Sequence, residues 1–252
     1  MSRNTLHFVR GEHYPQIEVI EEGNIRFLRF GSHGGWQGAL HMQRPDFPVF
    51  PYQRGFHSLV NAMSNVGRFL SVGVGTGTAL RTVHQAFPEC ELYGVEIEQA
   101  VVDIATHYFD SPSHQLANYW IGDGVAFLCN VDLTFDFIFV DAYLSNRIYS
   151  PCLDPAFPEV LAAALTKDGV AVSNVIARFP LRGPAFDFVE AAKEHFESVV
   201  VLPVGNPLFE QNMLVVFAKQ EALLSGWLAS IRESKALRLV ERVSWPMRLH
   251  AL

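Results

Sequence analysis

The chain has 252 residues, 49% of them hydrophobic, and a formal net charge of −7 at pH 7. That length and apolar content supply a sizeable core without staples, and an acidic balance with scattered Lys and Arg excludes a nucleic-acid backbone as main partner. Cys90, Cys129 and Cys152 form no C-x-x-C pair and the ten histidines show no H-x-x-x-H or H-E-x-x-H spacing, so neither a disulfide framework nor a metal is expected.

The N-terminal residues include Arg3, His7, Arg10 and Glu12 in place of an apolar stretch, and no later apolar run approaches the ~20 residues needed to span a bilayer. With the cysteine usage, this predicts a soluble, cytoplasmic protein with no membrane partner. Residues 1–50 read as a small β domain. Within it Ile17-Glu-Val-Ile20, the Glu22-Gly-Asn24 turn and Ile25 to Phe30 predict a hairpin, followed by a Gly34-Gly35 break. Pro45, Pro48 and Pro51 then lead into an amphipathic segment, Tyr52 to Met63, expected as the first helix of a main domain over 51–218.

From Arg68 onward, strand and helix patterns alternate. Strands are predicted at Phe69–Val74, Glu91–Ile97, Tyr119–Ile121, Phe135–Val140, Val170–Val175, Ser198–Leu202 and Met213–Ala218. Helices are predicted at Thr78–Phe87, Gln99–Tyr108, Gly124–Cys129, Pro155–Leu165 and Pro184–Phe196. Apolar strands bounded by helices imply a parallel sheet buried on both faces. The loop between the last two strands is too short for a crossover, so the final strand should run antiparallel. The expected fold is therefore α/β and Rossmann-like, of the class I methyltransferase type, with a seven-stranded sheet. Residues 219–252 predict one helix, Glu221 to Arg232, and a tail without clear period.

The chemistry concentrates in four places. Arg68 to Gly77 is an apolar strand running into a turn with glycines at 73, 75 and 77, and Glu96 closes the next strand about twenty residues on. The glycines let the backbone turn sharply and approach a ligand closely, while a carboxylate at that place can accept both hydroxyls of a ribose. Thr78 stands where a pyrophosphate-binding turn has its third glycine, and no Gly-Lys-Ser/Thr ending follows, so both phosphate readings weaken. A nucleoside pocket for an adenosyl sulfonium is left. Asp123, in Ile121-Gly-Asp-Gly124, and Asp141, after Phe137-Ile-Phe-Val140, also end strands, and ligands of open α/β sheets sit at that edge. Asp123 is equally readable as a helix cap. Asp141 is delivered to the rim by four apolar residues, where a carboxylate is costly unless it is used.

The sequence resembles the spermidine synthase family of polyamine aminopropyltransferases, in its divergent branch, over about residues 14–218. The carriers are Tyr14-Pro-Gln-Ile-Glu-Val19, Trp36-Gln37-Gly38, Phe50-Pro-Tyr52-Gln53-Arg54, the glycine turn, Gly94-Val-Glu96-Ile-Glu98, Ile121-Gly-Asp-Gly124, Val140-Asp141-Ala-Tyr143 and Lys167 to Asn174. The resemblance implies decarboxylated S-adenosylmethionine as donor, or S-adenosylmethionine in the alternative reading, no metal, a small-molecule amine as partner, and a homodimer. It also implies roles. Gly73 and Gly75 form the turn, Glu96 holds the ribose and Asp123 the adenine, Gln37 and Tyr52 line the sulfonium and aminopropyl end, and Asp141 helps deprotonate the attacking amine.

Departures from the family pattern are as specific. Thr76 stands where the family has an aspartate for the donor's amine, and Leu144 where it has a second acid for the polyamine. Glu98 and Glu210 are the candidate replacements. Three activities stay open at this point: aminopropyl transfer to an altered acceptor, methyl transfer from S-adenosylmethionine, and nucleoside binding without catalysis.

Overall fold

The structure, a computed structural model, describes residues 3–31, 34–144, 147–220 and 223–252. Four strands come first, β1 (Arg3–Val9), β2 (Ile17–Glu22), β3 (Ile25–Phe30) and β4 (Trp36–His41), paired antiparallel in chain order. The hairpin read from the sequence is its centre, with Ile17 opposite Phe30 and Glu22 opposite Ile25. One face of this sheet is apolar: Tyr14, Ile17, Val19, Leu28, Phe30 and Leu40 pack with Val101, Ile104 and Phe109. Those last residues belong to, or directly follow, a helix of the main domain, so the small sheet shares a core with it.

The main domain runs α1 (Pro51–Val60), β5 (Arg68–Val72), α2 (Thr78–Ala86), β6 (Glu91–Glu96), α3 (Gln99–Tyr108), β7 (Ala117–Ile121), α4 (Gly124–Asn130) and β8 (Phe135–Val140). A short hairpin follows, β9 (Tyr143–Leu144) and β10 (Arg147–Ile148), then α5 (Phe157–Ala164), β11 (Leu165–Ala177), α6 (Pro184–Ala192), β12 (Ser198–Pro203) and β13 (Gln211–Ala218). The C-terminal part gives α7 (Leu223–Glu233), α8 (Leu239–Arg248) and β14 (His250–Ala251). The strands assemble as β14-β12-β13-β11-β8-β5-β6-β7. Strands β11, β8, β5, β6 and β7 are mutually parallel, and β13 lies antiparallel between β11 and β12.

Continuous apolar runs are what this topology demands, because helices cover both faces of the sheet. Phe69, Phe137 and Phe139 face one layer with Phe56 of α1, whereas Leu70, Ile138 and Val140 face the other with Phe157 and Phe188. Each such aromatic contributes on the order of 1.5–3 kcal/mol by leaving water.

The C-terminus differs from the sequence expectation in two ways. An eighth strand, β14, pairs with β12 and extends the predicted seven-stranded sheet by two residues. The supposed aperiodic tail is the helix α8, whose pattern is inverted: Glu241 and Trp245 are buried while Val240, Val243 and Met247 are exposed. Glu241 explains this. Its carboxylate accepts from the Arg238 backbone N–H (2.8 Å) to cap the helix and from Arg54 Nε (2.9 Å) of α1, inside the core. The buried pair anchors a helix that periodicity and the internal Pro246 both argue against. Of the last predicted helix, α7 keeps the range from Leu223, and Glu221 lies outside the described residues.

Candidate functional site

Strand register assembles the site. Val72 pairs with Val95 and with Val140, Glu96 with Ile121, and Ser173 with Val140. One residue further along, the chain leaves β5, β7 and β8 at Gly73, Gly122 and Asp141, while β11 continues past β8 with Asn174 paired only to β13, so these residues and Asp123 emerge beside Glu96 along a single edge. That edge contains the point where the chain turns from the β5-β6-β7 half to the β8-β11 half, the crevice that open α/β sheets use for ligands. A cavity of about 490 Å³ lies there, within the range of small-molecule sites. All seven residues singled out from the sequence line it: Gln37, Tyr52, Gly73, Gly75, Glu96, Asp123 and Asp141.

The glycine turn is shaped by two constraints. Gly73 has φ +87°, and a Cβ on it would meet the Asp141 carbonyl oxygen at 2.4 Å, so this glycine lets β5 and β8 approach. Gly75 has φ +53° with nothing within 4 Å of a Cβ, so it borders open cavity and a side chain there would intrude on a ligand.

Glu96 is buried, and its carboxylate is held by backbone alone. Oε2 accepts from Val74 and Gly75 N–H (3.0 and 3.3 Å), and Oε1 from Ile97 and Glu98 N–H (3.0 and 3.4 Å). Burial raises its pKa, and the four donors work against that rise. The two longer contacts are the ones a ligand hydroxyl would displace most cheaply. Asp123 caps α4 through the Ala126 N–H (2.8 Å), and its other oxygen accepts from the Tyr149 hydroxyl. Burial works to raise its pKa, but the Tyr149 hydroxyl and the Ala126 and Val125 N–H groups prevail and hold it below the ordinary value.

Asp141 is held by side chains. Tyr52 donates its hydroxyl hydrogen to it, and Asn174 Nδ2 donates to Oδ1 at 2.7 Å. Burial outweighs both and pushes its pKa from 3.8 up to about 6. Behind these partners stand two more. Gln53 Nε2 donates to the Tyr52 oxygen (3.3 Å), and Asn212 Nδ2 donates to Asn174 Oδ1 (3.0 Å). The orientation of the chain follows from its anionic end: a carboxylate can only accept, so Asn174 turns its NH₂ toward Asp141 and its carbonyl oxygen toward Asn212. Burial, then the Asp141 charge, lifts the Tyr52 hydroxyl well above its usual range, so it stays protonated.

Sequence reading missed Asn174 and Asn212 as site residues, along with Tyr149. Asn174 carries a signal, being a carboxamide at the carboxyl end of an apolar strand. Asn212 becomes visible only when β13 is set beside β11, where Leu214 opposes Asn174 and Asn212 opposes Ile176. Three other sequence proposals fall elsewhere. Glu98 is buried at the N-terminal segment, where Oε2 accepts from the His13 N–H (2.9 Å). Glu210 sits exposed on the loop before β13. Thr76 is buried against Gly38, its hydroxyl 3.0 Å from that of Thr78, and faces a side chamber of about 20 Å³ beneath Asp141 that it shares with Gln53. None of the three lines the main cavity.

Residues 51–223 match the spermine/spermidine synthase domain model. The chain belongs to the spermine/spermidine synthase family, a family of transferases. A polyamine aminopropyltransferase from Chromobacterium violaceum is 26% identical over 223 residues, covering 86% of this chain and 82% of the relative. Among solved structures, a probable spermidine synthase from Corynebacterium glutamicum superposes with a TM-score of 0.78 at 17% identity, covering 91% of this chain and 88% of that one. Human methyltransferase-like protein 13 in complex with SAH superposes with a TM-score of 0.59 at 17% identity, covering 78% and 99%. These likenesses establish the class I methyltransferase-type fold. Among the described residues, no helix is long and apolar enough to cross a membrane, and no group of three or more His, Cys, Asp or Glu side chains could hold a metal ion.

Proposed function

We propose that this chain transfers the aminopropyl group of decarboxylated S-adenosylmethionine to an amine, with Asp141 as the base. The observation that carries the reading is the charge of the cavity: its described lining includes three carboxylates, Glu96, Asp123 and Asp141, and no Lys, Arg or His. A cationic donor and a cationic acceptor suit that lining, whereas the carboxylate of S-adenosylmethionine would find no side-chain cation there. The open side of Gly75 and the paired lone pairs of Glu96 suit a nucleoside, with Asp123 at its base end.

The acceptor nitrogen must lose a proton before it can attack, since a primary ammonium has a pKa near ~10.4. An aspartate at its usual value is a weak base for that task. Raised to about 6, Asp141 is a better match by roughly two units, and its partners aim it. As the nitrogen gives its proton to Asp141, its lone pair forms the C–N bond. The C–S bond breaks, and its electrons neutralise the sulfonium to leave methylthioadenosine.

The test is product release. Decarboxylated S-adenosylmethionine with a panel of mono-, di- and triamines is expected to yield methylthioadenosine, and no release with any of them overturns the proposal. Calorimetry comparing the two donors separates it from methyl transfer: tighter binding of the carboxylated donor counts against it. The homodimer implied by the family resemblance is checked by sedimentation of the purified chain.

A further inference from the structure

The carboxylates of the cavity all lie toward one end. Glu96 ends β6, Asp123 follows β7, and Asp141 follows β8. Beyond β8 the described residues of the wall are Asn174 and Ile176 of β11, Asn212 of β13, and Tyr143, and none of these is an acid. Resting on the transfer reading above, we propose that the acceptor is an amine with one ammonium group, met by Asp141, and an uncharged tail lying along Ile176 and Asn212.

A second ammonium on the tail would find no carboxylate among the described residues of this wall, only neutral groups that are mostly committed to one another. Asn174 has its NH₂ on Asp141 and its carbonyl oxygen on Asn212, and its backbone oxygen accepts from the Tyr143 hydroxyl at 2.9 Å. The aromatic neighbours are equally committed. The Tyr14 hydroxyl donates to the Tyr143 backbone oxygen (2.9 Å) and its ring stacks on Phe30 with centroids 3.9 Å apart. Phe27 stacks on Trp36 at 4.3 Å, and the Arg3 and Arg29 guanidinium carbons lie 5.3 and 5.6 Å from the Trp36 centroid, so that indole already serves two cations. What remains among the described residues is hydrocarbon from Ile176, which is 39% exposed at the mouth, and the side-chain oxygen of Asn212, a neutral acceptor that offers an ammonium no counter-charge. That pair suits a methyl-terminated or hydroxyl-bearing tail.

Calorimetry on the enzyme saturated with methylthioadenosine tests this with three amines of equal length: pentylamine, 4-amino-1-butanol and 1,4-diaminobutane. At least one of the first two should bind about tenfold more tightly than the diamine. The variant Ile176→Asp, its fold checked by its melt and by unchanged methylthioadenosine binding, should reverse the order by a similar factor. Equal or tighter binding of 1,4-diaminobutane by the parent protein, or no binding of any of the three, overturns the inference. Failures of the two proposals are distinguishable. A diamine that binds best and releases methylthioadenosine sinks the acceptor class and leaves transfer standing, whereas the expected order of binding with no release from the decarboxylated donor does the reverse.

Discussion

On the β6 side of the crevice, Glu96 is gripped by four backbone N–H groups, whereas on the β8 side Asp141 is gripped by the side chains of Tyr52 and Asn174. Backbone donors are fixed by the path of the chain, and no single substitution at a partner other than proline deletes them. Side-chain donors can be changed one at a time, and each adjusts the proton affinity of its acceptor. On the proposed reading, the end that takes the nucleoside is thus built for position, and the end that takes the amine for a tuned pKa.

The most damaging way to break that contrast is to remove the tuned group. Asp141→Asn is expected to lower kcat by about 10²–10⁴, the usual worth of a positioned base, while methylthioadenosine affinity moves by less than about threefold because the nucleoside end is untouched. Loss of nucleoside binding in this variant would mean that the two ends are not separate. The pH dependence has a definite sign. With a folded pKa of about 6 against 3.8, Asp141 contributes most to stability while protonated, below pH 3.8, and that contribution fades as pH rises through about 6. Activity runs the opposite way, because kcat/KM needs the carboxylate and should climb through about pH 6. The Asn variant should accordingly melt higher than the parent at pH 7, by on the order of 1–3 kcal/mol, since it keeps no buried charge.

The glycine turn gives the next largest effect, and it separates folding from binding. Gly73→Ala places a methyl 2.4 Å from the Asp141 carbonyl at a positive φ, so β5 and β8 must part. A loss of more than about 2 kcal/mol in denaturant melts is expected. Gly75→Ala carries a comparable φ but meets nothing within 4 Å, so its stability cost should stay near 1 kcal/mol. Its effect should appear instead as weaker methylthioadenosine binding. Equal melting losses in the two variants would show that backbone strain, not the approach of β8, makes Gly73 necessary.

How much of this was legible beforehand follows the same division. The strands and their acids could be read because apolar runs lead into Gly73, Glu96 and Asp141, although the predicted ends at Val74 and Ile97 overrun the observed ones at Val72 and Glu96; register then brings them together without further instruction. The side-chain partners could not be read, because they depend on strand order: Asn212 reaches Asn174 only because β13 inserts beside β11 instead of extending the sheet in sequence. Asp123 shows that a helix cap and a place in the cavity wall are compatible, since it caps α4 and lines the cavity at once. Helix α8 was invisible for another reason. Its buried face is carried by Glu241 and Trp245, and no apolar period announces an ion pair with Arg54.

A pairwise comparison at the two ends gives a moderate effect. Glu96→Gln keeps the size of the side chain but turns an NH₂ group onto one pair of backbone N–H donors, leaving both unsatisfied at a buried site. A melting loss of about 1–3 kcal/mol and roughly tenfold weaker methylthioadenosine binding are expected, with the acidic limb of the pH profile unmoved. A shifted limb would contradict the assignment of that limb to Asp141.

The smallest effect is the most informative about tuning. In Asn212→Leu, Asp141 keeps both of its direct partners, but Asn174 loses the donor that fixes its amide plane. Freed to rotate, Asn174 would present its NH₂ to Asp141 for a smaller share of the time, and that hydrogen bond is one of the two that lower the Asp141 pKa. The acidic limb of kcat/KM should therefore move to higher pH by a few tenths of a unit, with kcat on the plateau changed by less than about threefold. Asn174→Leu removes the bond outright and should move the limb further in the same direction. A limb that stays put in Asn174→Leu would mean that Tyr52 alone sets the protonation of Asp141, and the relay through β11 and β13 would then be a packing feature without influence on the chemistry.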